Sequence, residues 1–466
     1  MKDQCLLLRD YYATPEMRAV WTEENMVQKW LDVEAAIAWS QGELKMIPKW
    51  ASRAIVRGCD AKKVTPLLVY REFEKARHWI VSLVHAFAKV SGPEGEYFHL
   101  GTTTQDILDG GLTLQIRESY VLLLKELRAL ESILVRLARR HRATVMAGRT
   151  EGQQASPVTY GQKMAILSSE LRDHVERLKE CSKRLFYANV SSGTGAQSTF
   201  VYLSDLQTTR RMETLVARRL SLHVPYMSMH HRTDRFAELL NILALINSTL
   251  GEAGMDIRDL QRTEVAEVAE PWDIEHQHSS STFPHKRNPE TSEWQEGLAK
   301  LSRTNALAMM DVQQQHERDA SRYAVEFSRI AESFGLASSA IAAAKHIYGG
   351  LIVDKKAMRR NLELQRELTM TEAVMLRLYQ KTKRKVEAHT ICHDAAQLAR
   401  EEGRSLKECL LADPLARKHL TAEEIDEVTN PENYIGTCPQ QVDRALMRIA
   451  RLRRTDGRFL RMGKKR

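Results

Sequence analysis

Residues 269–293, AEPWDIEHQHSSSTFPHKRNPETSE, hold the side chains of this chain with the clearest potential for chemistry. Three consecutive serines, 279–281, form a hydroxyl cluster, and Lys286 adds a cation. Asn288 and Glu293 then supply an amide and a carboxylate. Together these groups could clamp a carboxylate and transfer a proton.

The backbone of the same segment is predicted to form a loop. Apolar residues do not recur at helical spacing there, and Pro271, Pro284 and Pro289 restrict the chain. Helix resumes after Pro289, where Glu290 complements the positive start of a helix. Because a loop of this length between helices is more often functional than idle, we expect it to carry a site.

Two further polar segments interrupt the helical pattern. Residues 97–109, YFHLGTTTQDILD, contain three consecutive threonines, which suit a loop that offers hydroxyls and N–H groups to a carboxylate. A helix N-cap at Thr104 or Asp106 is the alternative. Residues 147–157, AGRTEGQQASP, are predicted to interrupt a helix because of their Gly, Ser and Pro content.

Long amphipathic helices must position these segments. Apolar residues recur at helical spacing from Leu112 to about Arg142. Comparable runs cover about 156–187, 233–266 and 290–348, the last with a possible break near Ser321. Such lengths predict an all-α protein built on a bundle of long helices, with shorter helices from Lys355 onward.

Composition restricts the class of protein. The 466 residues are 43% hydrophobic and 28% charged, which is typical of a soluble chain with two or three domains. Six scattered cysteines without CxxC spacing argue against a metal site or disulfide framework. A signal peptide and a membrane span are not evident, so we expect a cytoplasmic protein that needs no cofactor and does not bind a membrane.

The net charge of +9 is concentrated at the C-terminus. Residues 448–466 carry nine Lys/Arg and one Asp, so the rest of the chain is almost neutral. This tail could contact RNA, an anionic surface or a partner, but we expect a solvated, frayed end. Since the remaining sequence has no basic stripe interleaved with aromatics, we expect no nucleic-acid partner.

The spacing within SSSTFPHKRNPETSE resembles the signature loop GSSxMPxKxNxxxxE of the fumarase/aspartase superfamily, in the branch of adenylosuccinate lyases and carboxymuconate cycloisomerases. Ser279 stands where the family has Gly, and Phe283 where it has Met. The matching positions are Ser280, Ser281, Pro284, Lys286, Asn288 and Glu293.

The other two polar segments resemble the other signature regions of the superfamily. Residues 97–109 match HxGxTSxD, with Thr104 in place of Ser. Residues 147–157 match GRTHxQxAxP except at Glu151, which stands where adenylosuccinate lyases and fumarases carry a catalytic His. Features that resemble this branch run from about residue 12 to about residue 445.

Three shorter stretches resemble the same branch in part. In DYYATPEM, Tyr11 occupies the position of the Arg that helps adenylosuccinate lyases hold a nucleotide, which puts an AMP-bearing substrate in doubt. Residues 227–238 match WHTxRDR at His230, among others. Residues 313–327 contain the HERD segment, from which Arg318 or Arg322 could face the pocket.

The resemblance implies a three-domain fold and a homotetramer. We place an N-terminal helical domain at 1–111, the long-helix bundle at 112–354, and a C-terminal helical domain with the basic tail at 355–466. The apolar stripes of the 112–142 and 233–266 helices exceed what one chain could bury, which also favours self-association.

The resemblance also implies roles for site residues acting on a small dicarboxylate. Ser280 would act as an alkoxide base held by backbone N–H groups and a nearby cation. Glu151 would approach Glu293, and since two close carboxylates cannot both stay ionised cheaply, Glu151 could replace the family's His as general acid. The predicted catalytic residues are Ser280, Glu151, Glu293 and His99, and the predicted substrate-binding residues are Thr103, Thr104, Thr150, Gln153, Lys286, Asn288 and Arg318.

Three functions remain open from the sequence. The first is a lyase that performs β-elimination on a succinyl-type substrate and releases fumarate or an analogue. The second is a lactonising enzyme of the 3-carboxy-cis,cis-muconate cycloisomerase type, favoured by Glu151. The third is a helical scaffold without catalysis. Glu151 could instead bind a cationic substrate group, with His99 or His230 supplying any proton.

Overall fold

The computed structural model describes residues 8–230, 232–314 and 319–462. Short and medium helices make up the N-terminal part: α1 Arg9–Tyr12, α2 Pro15–Val20, α3 Glu23–Glu43, α4 Lys49–Gly58, α5 Pro66–Ala76 and α6 Trp79–Val90. The caps have the expected chemistry, because the Thr14 hydroxyl accepts the Met17 N–H at the start of α2.

The middle of the chain is dominated by long helices. Its helices are α7 Thr104–Arg140, α8 Tyr160–Leu185, α9 Ser198–Leu203, α10 Leu206–Leu220, α11 Asp234–Leu260, α12 Glu290–Asp311 and α13 Ser321–Gly349. Its short strands form two antiparallel pairs, β1 Val145–Thr150 with β2 Gln153–Thr159, and β3 Val268–Ala269 with β4 Ile352–Val353. The prediction of a predominantly helical fold is confirmed.

The C-terminal part is again built from short helices: α14 Lys355–Glu363, α15 Thr371–Thr382, α16 Lys385–Glu402, α17 Leu406–Ala412, α18 Pro414–His419, α19 Ala422–Thr429, α20 Cys438–Arg453 and α21 Asp456–Phe459. Short 3-10 helices lie at Pro93–Tyr97, Val312–Gln314, Leu368–Met370 and Pro431–Tyr434. No helix among the described residues is both long and apolar enough to cross a bilayer.

Three hydrophobic cores organise the described chain. One joins α3 to α6 with residues of α10, and a second lies among α15 to α19. The largest lies between the long helices α7, α8, α11, α12 and α13. The boundaries at residues 111 and 354 remain predictions.

The sequence-based expectation for the C-terminal tail is wrong for its described part. Residues 448–462 do not form a frayed end, because α20 packs into the largest core through Val442, Leu446 and Ile449. Phe459 of α21 is buried there too. The apolar face of this segment and the ion pairs of its buried Asp456 together determine its position.

The segment at 147–157 is also different from the prediction. It is a β-hairpin formed by β1 and β2 and not a simple break in a helix. Glu151 and Gly152 form the turn with φ of 53° and 77°. Positive φ at both turn positions is characteristic of a two-residue hairpin turn, but Glu is not a usual residue for it.

Candidate active site

The loop between β3 and α12 holds the hydroxyl of Ser280 in a distinctive environment. Its Oγ accepts the backbone N–H groups of Phe283 at 2.9 Å and Thr282 at 3.2 Å. Ser280 itself is partly exposed, so a substrate could reach the oxygen. Two N–H donors aimed at one oxygen stabilise it best when it is negatively charged, and they therefore favour the alkoxide form.

The neck of this loop is closed by Ser279 and Asn288. The Asn288 backbone N–H donates to Ser279 Oγ at 3.0 Å, and its side-chain amide donates to the Ser279 carbonyl at 2.8 Å. Ser279 Oγ in turn donates to the Lys286 carbonyl at 2.6 Å. The side chain of Ser279 thus makes hydrogen bonds that the family's Gly could not make. Asn288 fastens the loop in this conformation, so a role as carboxylate clamp requires its amide to be released.

Lys286 has the properties of an available cation. Its side chain is exposed, and it forms no ion pair with any residue in the described part of the chain. Because the Ser280 hydroxyl is on the same loop, a carboxylate held by Lys286 would lie close to the candidate base.

The segment 97–109 begins α7 rather than forming an open loop. The segment starts a helix, as the alternative predicted, but the N-cap is Thr103 and not Thr104 or Asp106. Thr104 is the first helical residue. The Asp106 carboxylate accepts the Thr103 N–H at 3.0 Å. The helix start therefore holds Thr103 and Thr104 in fixed positions, both partly exposed.

The buried residues Asp106 and His230 hold the start of α7 in position. Asp106 is fully buried and accepts the N–H groups of Ser191 at 2.7 Å and Ser192 at 3.2 Å. His230 Nε2 lies 2.9 Å from Asp106 Oδ1, and the imidazole is also fully buried. Since His230 has no exposure to solvent, we assign it to support of the site and not to proton transfer with a substrate.

His99 is paired with a carboxylate that the sequence analysis did not identify. Its Nδ1 lies 2.6 Å from Oε1 of Glu34, a residue of α3 that is 1% exposed. Burial lowers the pKa of His99, but the charge and hydrogen bond of Glu34, with help from Asp106, outweigh it and raise the pKa above its usual value. His99 is thereby favoured as a proton donor near neutral pH.

The hairpin tip carries Thr150, Glu151 and Gln153, which are all exposed. Its base is fixed by Arg149, which donates to both carboxylate oxygens of the buried Glu267 at 2.9 and 2.6 Å. This bidentate pair orients the hairpin on the bundle and leaves its tip to project from the chain.

The HERD segment is only partly covered by the structure. Arg318 lies outside the described residues. Arg322 is buried, where it donates to the His230 carbonyl at 2.6 Å and lies 3.2 Å from Glu326. Arg322 therefore braces the buried network under the α7 start and does not face the surface.

A cleft of about 1200 Å³ lies beside the base of the signature loop. It contains Asn288 and Glu293 of the predicted site and also Tyr11 from the N-terminal segment. The fold therefore brings Tyr11 beside the loop, although these residues are more than 270 positions apart in the chain.

Comparison with known proteins supports the family resemblance that the three signature segments carry. The family model described as "Lyase" matches residues 10–301, and the model described as "Adenylosuccinate lyase C-terminus" matches residues 367–445. The chain is 40% identical to the adenylosuccinate lyase of Methanocaldococcus jannaschii, with 94% of each chain covered. It is 35% identical to the N-acetyl-S-(2-succino)cysteine lyase of Dickeya dadantii, over 95% of this chain and 96% of the relative.

The chain belongs to the fumarase/aspartase superfamily of lyases. The fold agrees with this membership. The crystal structure of the 3-carboxy-cis,cis-muconate lactonizing enzyme from Pseudomonas putida superimposes with a TM-score of 0.88 at 31% identity, covering 96% of this chain and all of that chain. The branch predicted from the signature regions is confirmed.

The hairpin tip of this lyase does not meet the start of α7 within one chain. The 37 residues of α7 separate Thr104 from Arg140 by about 55 Å at 1.5 Å per residue. The roughly eleven residues from His141 to Glu151 span at most about 40 Å even when extended, so the hairpin tip cannot return to Thr104. Among the described residues, no hydrogen bond or ion pair joins any two of the three segments.

The predicted approach of Glu151 to Glu293 stays a prediction. Glu151 lies at the exposed hairpin tip, and Glu293 lies in the first turn of α12. Neither carboxylate has a side-chain hydrogen bond or ion pair to a described residue.

Two residues near the predicted site were missed from the sequence. Glu34 lies on the apolar face of α3, between Trp30 and Ile37, and a carboxylate on such a face signals a buried partner. His78 caps α6 through Nδ1, which accepts the Val81 N–H, while its Nε2 lies 3.4 Å from Thr104 Oγ1. His78 could have been found from the sequence, because it stands just before an apolar helix.

Proposed function

We propose that this lyase catalyses β-elimination from a succinyl-type dicarboxylate and releases fumarate or an analogue, with Ser280 as the general base. The observation that carries the proposal is the pair of backbone N–H groups that converge on Ser280 Oγ. A free serine hydroxyl is far too weak to remove a C–H proton, and this environment together with Lys286 favours the alkoxide that could do so.

The reaction would proceed by proton removal and departure of the leaving group. Ser280 takes the proton from the carbon next to one substrate carboxylate, and that carboxylate becomes a doubly charged aci-form. Lys286 stabilises the developing charge, as Thr103 and Thr104 would from another copy of the chain. The bond to the leaving group then breaks with its electron pair, a double bond forms, and a general acid protonates the leaving group.

Two candidates for the general acid follow from the residues. Glu151 stands at the family's His position and could be protonated beside Glu293 of another subunit. His99 is the alternative, since the Glu34 carboxylate holds it in position and raises its pKa. Thr150 and Gln153 flank Glu151 at the hairpin tip and would bind the substrate there.

We propose a homotetramer in which different copies supply the separated segments. The apolar stripe of α7 does not support self-association, because its residues are buried within the chain's own core. These residues are Leu112, Ile116, Leu123, Leu127, Leu130, Leu134 and Leu137. The exposed apolar residues lie on other long helices, with Ile166 of α8 at 55%, Leu245 of α11 at 48% and Leu307 of α12 at 59% exposure. Light scattering that found a stable monomer at micromolar concentration would contradict the shared site.

Replacement of Ser280 by Ala tests the proposed base. We expect turnover to fall by at least about 10²–10⁴-fold, with circular dichroism and binding of a succinyl substrate nearly unchanged. The control is Ser281→Ala, which removes a neighbouring exposed hydroxyl and should preserve activity. Retained activity in the Ser280 variant would place the base elsewhere.

A lactonising activity is the second candidate, favoured by the structural likeness to the 3-carboxy-cis,cis-muconate lactonizing enzyme. Ultraviolet absorbance separates the two when succinyl compounds and muconate-like compounds are tested in parallel. Turnover confined to muconate-like compounds would replace elimination by cycloisomerisation as the physiological reaction.

A further inference from the structure

We propose that the cleft beside the signature loop selects a leaving group that carries a positively charged amine. This inference rests on the proposed elimination and specifies which succinyl compounds the site accepts. The cleft has a volume of about 1200 Å³ and contains Asn288 and Glu293 of the candidate site. Its walls are aromatic on one side and acidic on the other.

The aromatic wall is built from the N-terminal segment and α12. The rings of Tyr11 and Trp294 are 4.8 Å apart, and the rings of Tyr12 and Trp294 are 5.9 Å apart. The Tyr11 carbonyl accepts from Trp294 Nε1 at 3.2 Å and from Ser339 Oγ at 2.7 Å, so the backbone that carries the wall is fixed. Half of Tyr11 nevertheless stays exposed. A rigid, exposed aromatic face can bind a cation through its π-electrons.

The acidic wall is built around the start of α12. Glu270 is buried and its Oε1 accepts the Ser292 N–H at 2.7 Å and the Ser292 hydroxyl at 2.5 Å. Glu290 and Glu293 lie in the first helical turn. None of these three carboxylates forms an ion pair with a described residue. Asp10 lines the cleft as well, but Arg18 neutralises it at 2.6 Å.

The charge balance of the cleft favours cations. No lysine or arginine is among its described lining residues. The helix start contributes roughly half a positive charge, which cannot offset three carboxylates. An anionic leaving group such as a nucleotide phosphate would therefore meet like charges, whereas an ammonium group would meet carboxylates and aromatic faces together. Tyr11 in place of an Arg contributes to this preference for a cation over an anion, because it removes a positive charge from the cleft.

Three N-succinyl compounds of equal length test the inference. They share the succinyl group, and the released amine ends in an ammonium, a methyl or a carboxylate group. We expect kcat/KM for the ammonium compound to exceed that for the carboxylate compound by at least about tenfold, with the methyl compound between them. Calorimetric binding to the intact protein should follow the same order.

Variants identify the source of the preference. Glu290→Gln should reduce the preference for the ammonium compound about two- to fivefold, mainly through KM. Tyr11→Arg should improve binding of the carboxylate compound, because it adds a cation to the aromatic wall. The control is Glu296→Gln, since Glu296 lies on the same helix but pairs with Lys300 outside the cleft.

The outcomes separate this inference from the proposed function. Absence of fumarate release from all three compounds, with ammonium binding still tightest, would overturn the elimination and keep the charge assignment. Equal binding of the three compounds, or tightest binding of the carboxylate compound, would overturn the charge assignment whether or not turnover occurs.

Discussion

Asp456 at the start of α21 is fully buried, and it ties the C-terminal segment to the central bundle. Its carboxylate lies 3.1 Å from Arg172 Nη1, 3.1 Å from Arg128 Nε and 3.2 Å from Lys179 Nζ. Arg172 is also fully buried, and it is held at 2.6 Å by Glu131. Removal of the Asp456 charge leaves these cations with too few carboxylates in a largely buried region.

We expect Asp456→Asn to destabilise the attachment of α20 and α21 strongly. Removal of one partner from a buried ion cluster typically costs about 3–5 kcal/mol, because the remaining charge stays desolvated and uncompensated. A loss of about 3 kcal/mol raises the opening constant roughly a hundredfold. The side chain keeps its shape, so the change reports charge and not packing volume.

Hydrogen exchange measured by mass spectrometry is the appropriate assay, because it resolves local opening in a long chain whose global unfolding need not be two-state. Protection should fall in α20 and in the facing part of α8. Asp443→Asn is the matched control, since it removes the same charge from α20, but at an exposed bidentate pair with Arg142. That variant should change protection little. Equal effects of the two substitutions would refute the role of the buried cluster.

Two other predictions concern the turn that carries the first site segment. In Glu34→Gln, NMR should show His99 titrating at lower pH than in the parent protein, because Glu34 raises the pKa of His99. In the parent protein, the His99–Glu34 pair should therefore stabilise the fold fully below about pH 6.5, the ordinary pKa of histidine. This stabilisation should be lost as the pH rises through the raised pKa of His99. Unchanged titration would mean that Glu34 does not control the imidazole. Gly101→Ala should destabilise the protein and lower activity, because φ is +78° and the new Cβ would lie 2.8 Å from the Phe200 ring. The control is Gly152→Ala, since Gly152 has φ +77° but open space around it. This control should lower the thermal unfolding temperature through backbone strain alone. Equal effects of the two substitutions would exclude a contribution from the contact with Phe200.

Local patterns in the sequence were sufficient to predict the long helices and the signature loop. The apolar spacing of α7 predicted that helix, although its start lies at Thr104, eight residues before Leu112. The hairpin at 145–159 was not predicted because its turn contains Glu151 at positive φ instead of a usual turn residue. The motif spacing also singled out Ser280 as the predicted base with backbone N–H groups at its oxygen, but not that Thr282 and Phe283 supply them.

The sequence by itself determined the superfamily, the helical class and the residue types available for chemistry, because helical periodicity and short motifs are local properties. Only the tertiary structure decided which of them are neighbours. It paired His99 with Glu34, buried His230 beneath the α7 start, and brought Tyr11 to the signature loop. It also kept the hairpin tip apart from the start of α7, because the length of a rigid helix, and not the spacing of a motif, sets the distance between its ends.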